Sequence, residues 1–182
     1  NLTHINKTKK AYSESENSLL FLGIFQDKNL NPQQRTLDDT LGNRLSAAMK
    51  MDGFIGKKDE QIHIFGNEIN KRVVLFGLGN QKNYTSDRAR SVASNITRFS
   101  TDVKNADFSV DGDSFALKKN IFAQAFAEGL VLGSYEFNDY KTKKDDSVKA
   151  SSITMYGKVD VKLVDKGAIL GASVGFARDL GN

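Results

Sequence analysis

Two glycines at the end of an apolar run have the spacing in this chain that most suggests chemistry. Arg72 to Asn80 reads RVVLFGLGN, which puts Gly77 and Gly79 where a buried strand would turn toward a helix opening near Ser86. Amides at such a turn, added to those of a helix N-terminus, can hold an anion. That geometry is where α/β proteins hold phosphates. The pattern is only G-x-G, however, without the third glycine of the dinucleotide fingerprint or the Lys-Ser/Thr of a phosphate loop. Glycines at a strand-to-helix turn are more often there because the backbone must bend.

The other groups able to do chemistry are dispersed. His4 and His63 lie far apart, and zinc needs three or four ligands. Alternation puts His63 on the strand face opposite Ile62 and Ile64. Carboxylates pair at Asp38/Asp39, Asp111/Asp113 and Asp145/Asp146. The first pair reads as the start of a helix, where negative charge is favourable, and the others as turn residues bonding their own backbone. The chain contains no cysteine, which removes thiolate ligands, a cysteine nucleophile and a disulfide framework together. No G-x-S-x-G elbow is present either. Arg88, Arg90 and Arg98 could offer a positive face to nucleic acid, and Tyr135, Phe137, Tyr140 and Lys141 could stack on a base. Against both stands a net charge of only +4, from 26 basic and 22 acidic side chains in scattered groups, which reads as solvated charge. The aromatics read as the closure of a helix end. The residues themselves therefore supply no catalytic, cofactor-binding or metal-binding constellation.

The elements that would position these groups alternate between strand and helix. Asn1 to Asn17 is polar and reads as a frayed end or an early strand through Leu2, His4 and Ile5. Ser18 to Phe25, SLLFLGIF, is an apolar run suited to a strand buried on both faces. After Pro32 one helix is expected, with Leu37, Leu41, Leu45, Ala48 and Met49 inward and Gly53 just beyond its end. QIHIFG and RVVLFGLG, joined by a short polar link, predict an antiparallel pair and hence a mixed sheet. From Thr85, a helical stripe runs through Ala89, Val92, Ala93, Ile96, Phe99 and Val103. A strand over Asp107 to Val110 and a DGDS turn lead to a helix opening at Phe115, with Ser114 as its N-cap. Gly129 and Gly133 near the helix end let a neighbour approach closely or let the helix stop. Its inner face carries Phe115, Phe122, Ala125, Phe126 and Gly129, and Asn120, Gln124 and Glu128 look outward. A strand over Ser151 to Tyr156 precedes a last helix, Lys166 to Leu180, in which Ile169, Ala172, Ser173, Phe176 and Leu180 repeat at helical spacing. There Gly167, Gly171 and Gly175 stand four apart, permitting close packing on a neighbour. These elements predict an α/β fold of three layers, α/β/α, with a mixed central sheet flanked by helices.

A chain of 182 residues fits a single domain over 1–182, and 39% hydrophobic with 26% charged content suits a folded one. No run reaches the roughly 18 apolar residues needed to cross a bilayer, so no membrane is expected as a partner. The chain starts at Asn1 with neither a start methionine nor a secretory leader.

Ala127 to Lys141, AEGLVLGSYEFNDYK, resembles the AEG-(x)-x-L-(x)-x-Y-x-F-x-x-Y-K pattern of the amino-terminal domain of the leucine aminopeptidase (cytosol aminopeptidase) family. Ala127, Glu128, Gly129, Leu132, Tyr135, Phe137, Tyr140 and Lys141 are the matching positions. RVVLFGLGN and the terminal ARDLGN, Ala177 to Asn182, match in the family's order, so the three stretches span nearly the whole chain. The resemblance implies a macrodomain-like fold and a non-catalytic accessory domain. The implied catalytic C-terminal domain, with its NTDAEGRL signature and two divalent metal ions (zinc or manganese), is absent from this chain. A truncated fragment, inactive alone, is expected, since ARDLGN looks like the opening of the family's ARDL-x-N-x-P-x-N junction. The implied partners are the protein's own catalytic domain and neighbouring subunits of a homohexamer, in the cytoplasm and without nucleic acid. The alternative is a free-standing macrodomain-like binder of nucleotide or ADP-ribose.

Overall fold

The computed structural model describes residues 3–12, 18–66, 71–105, 107–115, 120–136 and 152–181. Its centre is β2 (Leu19–Ile24), all six residues of which are buried. Leu19 and Phe21 point into one hydrophobic cluster, and Leu20, Leu22 and Ile24 into another on the opposite face. A continuous apolar run is what a strand covered on both sides requires. Around it lie β1 (His4–Thr8), β3 (Gln61–Phe65), β4 (Arg72–Gly77), β5 (Asp107–Asp111) and β6 (Ser152–Tyr156), in the sheet order β1-β6-β5-β2-β4-β3. Only β3 runs antiparallel, pairing His63 with Val74; β2 pairs in parallel with β4 and β5, and β6 with β5 and β1. The expected mixed sheet and hairpin are therefore present.

Helices α3 (Ser86–Asp102), α4 (Asn120–Glu136) and α5 (Val161–Gly181) cover the face that carries Phe21, Val74, Phe108 and Ile153. The short α1 (Pro32–Thr40) and α2 (Arg44–Met51) cover the face of Leu20, Leu22, Ile62 and Leu75. This is the three-layer arrangement read from the alternation of elements. From β2 the chain first builds β3 and β4 on one side, then crosses through α3 to β5 on the other. The strand order thus reverses at the carboxyl ends of β2 and β5, the usual place for a ligand crevice in an open sheet.

Three local expectations are corrected. Where one helix was expected after Pro32, there are two, because Gly42 and Asn43 take left-handed φ values of 65° and 60°. Asp38 stabilises the break: it is buried, and its Oδ1 accepts from the amides of Leu45 at 2.9 Å and Ser46 at 3.1 Å. It therefore sits in the last turn of α1 rather than at a helix start, yet its charge still meets a helix N-terminus, that of α2. Asp38→Ala leaves these amides without their acceptor and is expected to cost about 1 to 2 kcal/mol. Urea unfolding monitored by circular dichroism would show it.

Ser114, expected as an N-cap, belongs instead to a 3-10 turn, Gly112–Phe115. Its hydroxyl donates to the Asp111 carbonyl and accepts from the Gly23 amide, both at 2.8 Å, which ties the ends of β5 and β2 together. Phe115 consequently precedes α4, but its ring is fully buried 4.9 Å from that of Phe126.

The third correction concerns α4, which has no solvent stripe of Gln124 and Glu128. It lies between α3 and α5, and both side chains are only partly exposed. Glu128 Oε2 lies 3.1 Å from Arg90 Nε. That N–H does not point at the oxygen well enough for a hydrogen bond, so the contact is an ion pair. Glycines let the three helices close up: an added Cβ at Gly129 would run into the Arg90 carbonyl, and one at Gly167 into that of Gln124. Gly171 and Gly175 meet Glu128 and the Tyr135 ring in the same way.

Candidate functional site

The turn after β4 is where the sequence suggested an anion cradle, and its backbone is engaged within the chain. The Gly77 amide donates to the Glu60 carbonyl at 2.8 Å, and the Gly79 amide to that of Gly56 at 2.9 Å. The Gly79 carbonyl accepts from the Gln26 amide at 2.9 Å. A Cβ on Gly77 would collide with the Lys57 carbonyl, and Gly79 has a φ of +75°. Both glycines are thus required by the close passage of the 56–58 segment and by the turn itself.

Beyond this turn α3 starts in a regular way. The Thr85 hydroxyl accepts from the Arg88 amide at 3.1 Å, and Asn80 Oδ1 from that of Lys82 at 3.0 Å. A shallow cavity of about 560 Å³ lies here, lined by Gln26, Lys58, Gly79, Thr85, Arg88 and Ser91 among others. Arg88 spans it to Asp59 at 2.8 Å. The pocket thus has basic groups beside a helix start, but one of them is already neutralised by an acid.

The dispersed groups stay dispersed. His63 lies on the face opposite Ile62 and Ile64, as alternation predicts. Its ring is 5.2 Å from that of Phe99, with Nε2 3.1 Å from Gln61 Oε1. Partial burial, followed by the nearby Arg72 charge, lowers its pKa, which favours the neutral imidazole. His4 is in β1 at the far edge of the sheet. Arg90 pairs with Asp87 at 2.7 Å as well as with Glu128. With Arg88 also paired, α3 does not carry the row of three uncommitted arginines that a nucleic-acid face would use. Tyr135 packs against Gly175 of α5, in keeping with the helix-closing role. Phe137, Tyr140, Lys141, Asp145 and Asp146 lie outside the described residues. Among the described residues no group of three or more His, Cys, Asp or Glu side chains could hold a metal ion.

Sequence reasoning read Asp111 as a turn residue and missed that it ends β5 as a buried, perturbed carboxyl. It is 1% exposed at the carboxyl end of β5, beneath Tyr12. Burial, and then the charge of Asp113, push its pKa up to about 6, with hydrogen bonds from Ser114 and Tyr12 opposing more weakly. The Tyr12 contact is poor: neither its hydroxyl nor Asp111 Oδ2 makes a well-formed hydrogen bond among the described residues. Desolvation and repulsion by Asp111 raise the Tyr12 pKa in turn. Asp113 faces away, accepting from the Lys158 amide at 3.0 Å.

A second missed group is Gln34. It is 1% exposed, donates to the Gly23 carbonyl at 2.9 Å and closes a capping box with Asn31. Asn31 followed three residues later by Gln was a readable signal for it. The α1/α2 layer also frames a surface groove of about 680 Å³, lined by Lys28, Arg35, Asp39, Met49, Lys50 and Phe54 among others. Nothing in it converges as a reacting set would.

Comparison with known proteins finds relatives along almost the whole chain. A probable cytosol aminopeptidase of Sulfurihydrogenibium sp. is 28% identical over 98% of this chain and 37% of its own length. One from Geotalea uraniireducens is 31% identical over 79% of this chain and 31% of its own length. The chain thus spans about a third of the length of the curated relatives it matches. A mutant of tomato leucine aminopeptidase has the same fold, with a TM-score of 0.75 at 23% identity, over 97% of this chain and 36% of that one. The bottromycin maturation enzyme BotP, in complex with manganese, superposes with a TM-score of 0.62 at 19% identity, over 91% of this chain and 32% of its own. The profile of the cytosol aminopeptidase family's N-terminal domain matches residues 21–144. That is more than half of the sequence, and the chain accordingly belongs to the cytosol aminopeptidase family, of which it is the N-terminal domain.

Proposed function

We propose that this chain is the non-catalytic N-terminal domain of a metal-dependent leucyl aminopeptidase of the cytoplasm. The whole enzyme removes N-terminal residues from peptides, and this domain supports the assembly of its subunits into a homohexamer. One observation carries the reading: relatives named as cytosol aminopeptidases match almost all of this chain with only about a third of their length. Their remaining two-thirds has no counterpart here.

The described residues do not fit a centre of two divalent cations, since their carboxylates and imidazoles do not converge. In this reading zinc or manganese chemistry belongs to the part of the enzyme outside this chain. No step of peptide hydrolysis passes through Asp111, His63 or the Gly77/Gly79 turn. Incubating the purified 182-residue chain with a leucine anilide and manganese is expected to give no release of the amine above the rate with buffer and metal alone. Turnover that follows the chain through purification would overturn the reading.

A further inference from the structure

We propose that the outer side of the last three turns of α5 is the docking face for the polypeptide that follows this domain in its relatives. The proposal rests on the reading of the chain as an N-terminal domain. Ile169, Phe176 and Leu180 are 67%, 61% and 73% exposed, at spacings of seven and four that line them up on one side of the helix. Leu170 and Val174 flank them, each more than a third exposed. The opposite side of α5, with its glycines, is closed against α4. The first turns differ: Lys162, Asp165 and Lys166 are exposed there, and Asp165 is held by Lys7 of β1 at 2.6 Å. Apart from Val161 at the first position, 48% exposed, the exposed apolar side chains of α5 gather in the half nearest the point from which the relatives' chains continue.

The size of the patch selects the occupant. An apolar stripe a few turns long covers on the order of a few hundred Å². A stable dimer buries roughly 800 Å² per partner, so a second copy of this chain is poorly served by it. A covalently tethered neighbour needs less surface, because its effective concentration is already about millimolar. Helical anchors at these spacings fit an apolar groove, and the occupant inferred here is such a groove on the domain that follows.

The absence of native cysteine allows a direct test. Ser173 is exposed between the anchors, and Ser173→Cys puts a thiol on the stripe. Its reaction with a thiol reagent is followed in the 182-residue chain and in the longer polypeptide encoded with it, the site being identified by peptide mass. Unchanged melting temperatures would verify folding of the variant. The expected result is rapid labelling in the 182-residue chain and labelling at least tenfold slower in the longer one. Equal rates would overturn the proposal, as would slow labelling of the 182-residue chain accompanied by a dimer in sedimentation. The two readings separate cleanly. Metal-dependent cleavage of a leucine anilide by the longer polypeptide, with the thiol still fast, would remove the docking face alone. A gene encoding nothing beyond this domain would remove both.

Discussion

Gly129→Ala is expected to lower the stability of the fold by about 2 kcal/mol, although alanine is the better helix former. In an exposed helix the exchange would add about 1 kcal/mol. At this position the new methyl would lie inside the contact radius of the Arg90 carbonyl and 2.9 Å from the Ala93 side chain. The helix axes must separate to admit it, and overpacking of this kind costs roughly 1 to 3 kcal/mol, or more where backbone is struck. Separation also loosens the Arg90–Glu128 pair that sits over the same crossing. Gly167→Ala should behave in the same way at the α4/α5 crossing, where the Gln124 carbonyl is the obstacle. Gly181→Ala supplies the control, since a Cβ there meets nothing within 4 Å. Urea denaturation of the three variants checks the argument: a Gly129→Ala protein as stable as the parent would show that the helices are not in contact through their glycines.

The second large effect is a pH dependence centred on Asp111. Its folded pKa of about 6 lies above the ordinary carboxyl value of 3.8, so the folded state binds this proton more tightly than the unfolded chain does. The stability that comes with protonation is complete below about pH 4 and is lost as the pH rises through about 6. A rise from 3.8 to about 6 corresponds to about 3 kcal/mol. Asp111→Asn keeps the shape, removes the titration and ends the repulsion from Asp113. The variant should be more stable than the parent at pH 7, should lose that advantage near pH 4, and should show a flatter profile between the two. Thermal melts across that range decide it. A parent protein that gains stability from pH 4 to 7, with Asp111→Asn following the same curve, would rule out a buried, strained carboxylate.

Both effects arise at places that pattern reading treated differently, and the reasons are physical. The glycines of α4 and α5 were legible as permitting close approach, because a missing side chain is a local fact. Which neighbours would come close was not legible. The apolar repeat of α5 shows the limit: periodicity says that a helix has faces, but not which of them another element will cover. There the glycine side was buried, and Ile169, Phe176 and Leu180 were left outside. The break between α1 and α2 was hidden for a similar reason, since it is held by the Asp38 carboxylate reaching forward to the next helix. Asp111 meets Tyr12, a residue remote in sequence whose position no local pattern encodes.

The amino-acid order by itself determined the strands, the mixed sheet, the helix over Ser86–Asp102 and the family resemblance. All of these follow from repeats of two or about 3.6 residues and from short runs of fixed identity. Only the tertiary structure decided that the Gly77/Gly79 turn is filled by the 56–58 segment, that Arg88 and Arg90 are tied to acids, and that one aspartate is buried with its charge poorly matched. Those outcomes depend on what comes near from elsewhere in the chain, and packing between distant segments sets that distance.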